Sequence, residues 1–102
     1  MDEKSLTRIA AMERRLDECR AATEALTAAL EHMESLHTPM RSLFQYYGSV
    51  DWFRDRDAVL PPEFPAGVLS EDAVYDLICE TRDAARQMQR LADDILEKRI
   101  KP

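Results

Sequence analysis

Apolar residues recur every three or four positions through the first half of the chain, as in a helix that buries one narrow stripe. The stripe keeps the seven-residue repeat of a coiled coil. Its two apolar heptad positions are filled by Ile9, Met12, Leu16, Cys19, Thr23, Leu26, Leu30, Met33, His37, Met40, Phe44 and Tyr47. The pattern predicts a long helix over about residues 5–47, with Thr23 and His37 as the weakest members of the stripe.

Proline interrupts this helix near its end. Pro39 lacks a backbone N–H, and its ring clashes with the preceding turn, so the chain should kink or break near residues 36–38. Thr38 is placed to cap a restarted helix that has Pro39 at its first position.

Glycine and proline punctuate the middle of the chain. Gly48 suits a left-handed helix terminus, and Ser49 can cap a short helix that carries Trp52. Pro61, Pro62 and Pro65 then keep the chain extended. The short helix and connector, about residues 49–69, should be ordered because their apolar side chains need burial. These side chains are Trp52, Phe53, Val59, Leu60, Phe64, Val68 and Leu69.

A second periodic segment follows. Ser70 before Glu71 and Asp72 is a helix start signal, and it predicts a helix over about residues 71–100. The apolar stripe of this helix is broader than a coiled-coil seam, as a bundle helix requires. It comprises Val74, Leu77, Thr81, Ala84, Met88, Leu91 and Ile95, widened by Tyr75, Ile78, Ala85, Ala92 and Leu96.

The whole chain, residues 1–102, therefore predicts one all-α domain built as a long, coiled-coil-like helical hairpin. If the connector turns the chain back, the second helix ends opposite about Glu18. Ile9, Met12 and Leu16 would then lie beyond the reach of the second helix. The simplest cover for them is a second copy, so we expect a homodimer with a four-helix assembly. The alternative is a monomer whose connector folds along the hairpin.

Composition and charge narrow the functional classes. Charged residues make up 33% of the chain and the net charge is −6, with cations scattered among carboxylates, so we expect no nucleic-acid partner and no membrane partner. The amino end has neither the charged-then-apolar pattern of a signal peptide nor a membrane span, which favours the cytoplasm. Cys19 and Cys79 form no CxxC pair, and we expect two buried, reduced thiols.

Two sequence blocks resemble a known family. The blocks are Tyr46-Tyr47-Gly48-Ser49, followed by Trp52 and Asp55, and the run from Gly67 through Ser70-Glu71-Asp72 to Leu77. Their order and spacing resemble a family of small bacterial proteins catalogued as a domain of unknown function, number 4298 in that series. The resemblance extends over nearly the whole chain. It implies a cytoplasmic bacterial helical domain, and it implies no activity, cofactor or catalytic residue.

One spacing is compatible with metal chemistry. Glu34 and His37 are separated as in helices that place a carboxylate and an imidazole inside a di-iron or di-manganese bundle, and Glu80 on the facing helix could add carboxylates. The same region faintly resembles helical nucleotide pyrophosphohydrolases, through Glu31 and Asp83, although both residues take outward heptad positions. A structural histidine and solvated charges are the simpler interpretation. We therefore expect no cofactor.

Aromatic and acidic residues concentrate at one end of the predicted hairpin. Such a cluster is typical of a binding pocket, although it is equally the composition of a small core that fixes the connector. The candidate binding residues are Tyr46, Tyr47, Trp52, Asp55, Tyr75 and Asp76. In the small-core interpretation, Trp52 is the central plug and the tyrosine hydroxyls bond to nearby acids.

No nucleophile motif or phosphate-binding glycine loop is present, so the sequence favours a non-enzymatic role. The favoured function is a helical protein–protein interaction or scaffolding module, which dimerises and could bind a further protein. The alternative function is a metal-dependent helical-bundle enzyme, or a nucleotide pyrophosphohydrolase-like protein, that uses Glu34, His37 and Glu80.

Overall fold

The computed structural model describes residues 2–97, and all regular structure in that part is helical. Helix α1 spans Glu3–Ser35, α2 spans His37–Tyr46, α3 spans Val50–Arg56 and α4 spans Ala73–Leu96. A short 3-10 helix, Gly67–Leu69, lies between α3 and α4. The predicted all-α class is confirmed, and so are two long helices joined through a short helix and a proline-rich connector.

Helix α1 begins at a side-chain cap that the hydrophobic pattern did not reveal. Asp2 has extended backbone angles, and its Oδ1 accepts a hydrogen bond of 2.7 Å from the backbone N–H of Ser5. That hydrogen bond lowers the pKa of the Asp2 carboxyl. Because a capped terminus supports the first helical turn, α1 starts slightly earlier than the predicted residue 5.

The predicted break after the first stripe is confirmed, and it is shorter than expected. Leu36 is the single non-helical residue between α1 and α2, and its N–H donates to the carbonyls of His32 and Met33. Pro39 cannot bond back to the Ser35 carbonyl, so α1 ends there. Helix α2 already includes His37 and Thr38, so the prediction that Thr38 caps the helix and Pro39 opens it is wrong. Pro39 is the third residue of α2, where a helix needs no internal N–H donor.

The turn from α2 into α3 follows the local sequence signals. Gly48 has a φ of +77°, which is the left-handed conformation predicted for it. Ser49 is the N-cap of α3, and its Oγ accepts a hydrogen bond of 3.2 Å from the N–H of Trp52. Both predicted roles are confirmed.

The proline-rich connector does not remain extended as predicted. The N–H of Phe64 donates to the carbonyl of Pro61 at 3.2 Å, which closes a turn with Pro62 and Glu63 at its centre. Glu63 has a φ of +63°, the only positive φ of a non-glycine residue in the described part of the chain. Proline fixes the first central position of such a turn, and the left-handed second position completes it.

Helix α4 begins two residues later than predicted, after a turn at Glu71 and Asp72. The N-cap residue is Asp72, whose side chain makes no capping hydrogen bond, but Ser70 serves the same end of the helix, because its Oγ accepts a hydrogen bond of 3.0 Å from the N–H of Ala73. The helix is described as far as Leu96. Its predicted end near Ile100 lies outside the described residues.

The chain divides into two units between Pro39 and Met40. The first unit contains α1, in which no residue is buried. The second unit contains Trp52 and Val74, which are the buried apolar side chains of residues 2–97. The connector is less buried than predicted, since Phe53, Val59 and Phe64 are all exposed. The short 3-10 helix and α3 together enclose little more than Trp52.

Both cysteines are free thiols exposed to solvent, so the expectation that they are buried is wrong. Cys19 lies on α1, whose stripe is exposed throughout, and Cys79 lies in the second turn of α4.

Candidate functional site

Trp52 is the centre of the aromatic cluster, which lies entirely in the second unit. It sits in the first turn of α3, where the Ser49 cap fixes its backbone, and only 3% of the residue is exposed. Its indole Nε1 donates a hydrogen bond of 2.9 Å to the carbonyl oxygen of Val68 in the 3-10 helix. The indole therefore joins α3 to the connector and has its polar atom satisfied.

Three side chains surround the Trp52 ring. Tyr47 and Phe53 each form an edge-to-face pair with it, with centroids 5.0 Å apart in both pairs. The guanidinium carbon of Arg56 lies 4.8 Å from the ring centroid, in cation–π geometry. Arg56 also pairs with Glu71 at 3.3 Å, so one arginine links α3 to the start of α4.

Tyr47 makes a second link to the start of α4. Its hydroxyl donates a hydrogen bond of 2.8 Å to the backbone carbonyl of Glu71. The sequence predicted an acidic partner for this hydroxyl, and the observed partner is a main-chain oxygen instead. Glu71 precedes the N-cap residue of α4, so its carbonyl accepts no hydrogen bond within the helix, and the tyrosine hydroxyl satisfies it.

Tyr46 has the acidic partner that was predicted for the tyrosines. Its hydroxyl donates to Oδ2 of Asp55 at 2.5 Å. This hydrogen bond is the largest cause that raises the pKa of Tyr46 to about 12, and the negative charges of Asp55 and Asp51 act in the same direction. The pair fastens the last residue of α2 to the middle of α3.

The structure places the two candidate residues of α4 differently. Tyr75 is 54% exposed, and its pKa is raised chiefly by a side-chain hydrogen bond with Cys79, one helical turn further on. Asp76 lies in the first turn of α4, where its N–H donates to the carbonyl of Asp72 at 2.7 Å. Of the six candidates, the structure joins Tyr47 to Trp52 and Tyr46 to Asp55, while Tyr75 and Asp76 belong to the start of α4.

Sequence reasoning missed three members of this cluster, namely Arg56, Val68 and Glu71. Arg56 follows Trp52 by four residues on one helix, a spacing that brings side chains together and would have identified the cation–π pair. Val68 and Glu71 contribute backbone carbonyls. No side-chain pattern marks such acceptors, because every residue carries one.

In the part of the chain that it describes, the structure does not bring together the residues of the metal-binding alternative. Glu34 lies in the last turn of α1 and His37 begins α2, so the break at Leu36 falls between these two residues. Asp83 forms a surface ion pair of 3.2 Å with Arg86. Within residues 2–97, no group of three or more His, Cys, Asp or Glu side chains comes close enough to hold a metal ion.

Comparison with known proteins gives a family and no activity. No helix within residues 2–97 has the length and hydrophobicity needed to cross a membrane. No curated protein matches the chain. The family model described as "Domain of unknown function (DUF4298)" matches residues 9–91, which include α2, α3, the connector and the whole aromatic cluster. The match covers most of the sequence, and the chain therefore belongs to the DUF4298 family.

Proposed function

We propose that this protein is a helical protein–protein interaction module that associates with a second copy of itself through apolar stripes on its long helices. The observation that carries the proposal is the exposure of the coiled-coil stripe along α1. A helix with a sustained apolar stripe normally buries that stripe against another helix.

The stripe of α1 is exposed over its whole length. Its large apolar members are between 38% and 49% exposed: Ile9 46%, Met12 47%, Leu16 49%, Leu26 42%, Leu30 38% and Met33 42%. An isolated helix in water is marginally stable, and most helical stability in proteins comes from packing of an apolar face. These side chains are therefore available for an intermolecular contact.

Helix α4 offers a second stripe of the same kind. Leu77, Met88, Leu91 and Ile95 lie at heptad spacing and are between 38% and 46% exposed. At its amino end the same stripe includes Val74, which is buried. Tyr47 and Arg56 of the cluster hold the chain at Glu71, just before α4, and the remainder of the stripe stays open to a partner.

The available area is sufficient for a dimer. At 1.5 Å per residue, α1 is about 50 Å long and α4 about 36 Å long, and a stripe about 10 Å wide on both gives roughly 860 Å² per copy. Two copies would bury roughly 1,700 Å², within the range of about 1,200–2,000 Å² for specific interfaces. The homodimer is thus our preferred assembly, and a four-helix arrangement would use both stripes.

In this proposal the aromatic cluster has a structural role, because it holds the connector against α3. Its central indole is buried and hydrogen-bonded, so it acts as a plug that holds the connector, while Phe53 and Tyr75 remain exposed. Those two rings are the surface on which a further protein partner could dock. Two exposed, free thiols suit a reducing compartment, so we place the module in the cytoplasm.

Charged substitutions in the stripe test the proposal. In Leu16→Glu/Leu30→Glu, two carboxylates replace apolar side chains on the exposed stripe, so sedimentation velocity should report a shift from dimer to monomer. Ala21→Glu/Ala28→Glu is the matched control, because it adds the same charge on the opposite side of α1 and should leave the dimer intact. Equal sedimentation of both variants, or an unaltered protein that is monomeric, would contradict the proposal.

A further inference from the structure

We infer that α1 pairs with α1 of a second copy in the antiparallel direction, with the two-fold axis passing close to residue 21. This inference rests on the self-association proposed above and adds the direction and register of the contact. A two-fold dimer uses the same surface on both copies, so that surface must be complementary to itself under the rotation.

The stripe of α1 has the symmetry that such an axis requires. Its large apolar residues form two blocks, with Ile9, Met12 and Leu16 before residue 21 and Leu26, Leu30 and Met33 after it. Corresponding members of the two blocks lie equally far from residue 21. An antiparallel partner therefore places Leu16 against Leu26, Met12 against Leu30 and Ile9 against Met33, each pair occurring twice.

The small and polar residues of the stripe lie on either side of the two-fold axis. Cys19 and Thr23 are the small or polar members of the stripe in α1, and they too lie equally far from residue 21. Antiparallel pairing brings Cys19 of one copy against Thr23 of the other, so the polar positions meet each other. The Thr23 hydroxyl already donates to the Cys19 carbonyl at 2.8 Å, so it can be buried without losing its hydrogen bond.

The flanking side chains and the backbone are compatible with this direction. In a parallel pair the heptad register places Arg15 beside Arg20 and Arg8 beside Glu13 of the other copy, so a repulsive and an attractive contact offset each other. Antiparallel pairing places Arg15 beside Ala29 and brings the two Arg20 side chains together near the axis. Interactions between exposed charges are small in either direction. Antiparallel helices also align their dipoles favourably.

The area of this contact reaches the range of a specific interface together with the stripe of α4. In this register about 29 residues of α1 face the second copy, a length of about 43 Å, and a stripe about 10 Å wide on each copy buries roughly 860 Å² in total. A stripe of the same width along α4, about 36 Å long, adds roughly 720 Å². The sum of about 1,600 Å² lies within the range for specific interfaces, whereas the α1 contact alone is typical of a weak complex.

Disulfide trapping tests the direction and register. In a Cys79→Ala background, the variant Thr23→Cys places Cys19 opposite the new thiol of the second copy, and disulfides form only between residues whose Cα atoms approach within about 7 Å. Mild oxidation should convert most of this variant to a covalent dimer on a non-reducing gel. The same background with Thr23 intact should stay largely uncoupled, because its two Cys19 thiols lie in different layers.

A control and two contrary outcomes complete the test. Glu24→Cys in the same background puts the added thiol on the outer side of α1 and should not cross-link. Efficient cross-linking through Cys19 alone would demonstrate a parallel pair and overturn the inference. If the Thr23→Cys variant is a dimer by sedimentation but does not cross-link, the inferred direction and register are wrong, while self-association still holds. If the protein is a monomer by sedimentation, the proposed function itself is wrong.

Discussion

Hydrogen bonds from single aromatic side chains join neighbouring segments of the second unit. The Trp52 indole reaches the 3-10 helix, the Tyr47 hydroxyl reaches Glu71 two residues before α4, and the Tyr46 hydroxyl reaches Asp55 in α3. The acidic partner of Tyr46 could be predicted, since Asp55 is close in sequence and carboxylates accept from phenols. The partner of Tyr47 could not, because its acceptor is a carbonyl brought near by the fold.

Titration of the tyrosines tests the hydrogen bond between Tyr46 and Asp55. The bond to Asp55 raises the pKa of Tyr46 from 10.0 to about 12, so the stabilising effect of its proton is complete below pH 10 and is lost as the pH rises towards 12. Absorbance titration of the phenolates should resolve a tyrosine that ionises near pH 12. In Asp55→Asn the negative acceptor is gone, and that component should move down towards pH 10.

The matched control for this titration is Asp57→Asn. It removes one carboxylate from the C-cap of α3 and leaves the Tyr46 hydrogen bond in place, so the high-pH component should persist. Ionisation of all three tyrosines together near pH 10 in the unaltered protein would contradict the assigned hydrogen bond.

Helix ends in this chain follow local chemistry, and most of them could be predicted for that reason. Ser49, Gly48 and Ser70 act where their side chains or backbone freedom indicated. The connector could not be predicted in this way. Its turn puts Glu63 in a left-handed conformation that ordinarily selects glycine or asparagine, and its 3-10 helix is held by the Trp52 side chain from another element.

The two glycines, Gly48 and Gly67, should differ in how well they tolerate substitution by alanine. A Cβ added at either glycine would meet no atom within 4 Å, but only Gly48 has a left-handed φ. Gly48→Ala should therefore destabilise the fold by about 1 kcal/mol through backbone strain alone. Gly67→Ala should be neutral or slightly stabilising, since it restricts the unfolded chain without strain. Urea unfolding followed by circular dichroism compares the two, and equal losses of stability would contradict this account.

The distribution of burial is the property of the whole molecule that sequence reasoning predicted least well. The connector was expected to bury Val59 and Phe64, yet Val59 is 99% exposed and Phe64 57%. Hydrophobicity indicates which residues gain from burial, but it cannot indicate whether enough neighbouring chain exists to cover them. Here α3 and the 3-10 helix are only seven and three residues long, and they enclose a single indole.

Over the described residues, the apolar stripes of the long helices are also left without enough neighbouring chain to cover them. Their apolar stripes were predicted from heptad spacing, and the stripe of α1 is exposed from Ile9 to Met33. The expectation that a second copy covers it came from the sequence and stays a prediction. The symmetry of the stripe about residue 21 became meaningful once those exposed positions were known, because only exposed residues are available to a partner.

The most direct test of the central claim is the mass of the unaltered protein in solution. Sedimentation equilibrium across the micromolar range should give the mass of two chains, and the mass should fall towards that of one chain on dilution, because association follows mass action. The mass of a single chain at every concentration would contradict the claim that a second copy covers the exposed stripe of α1.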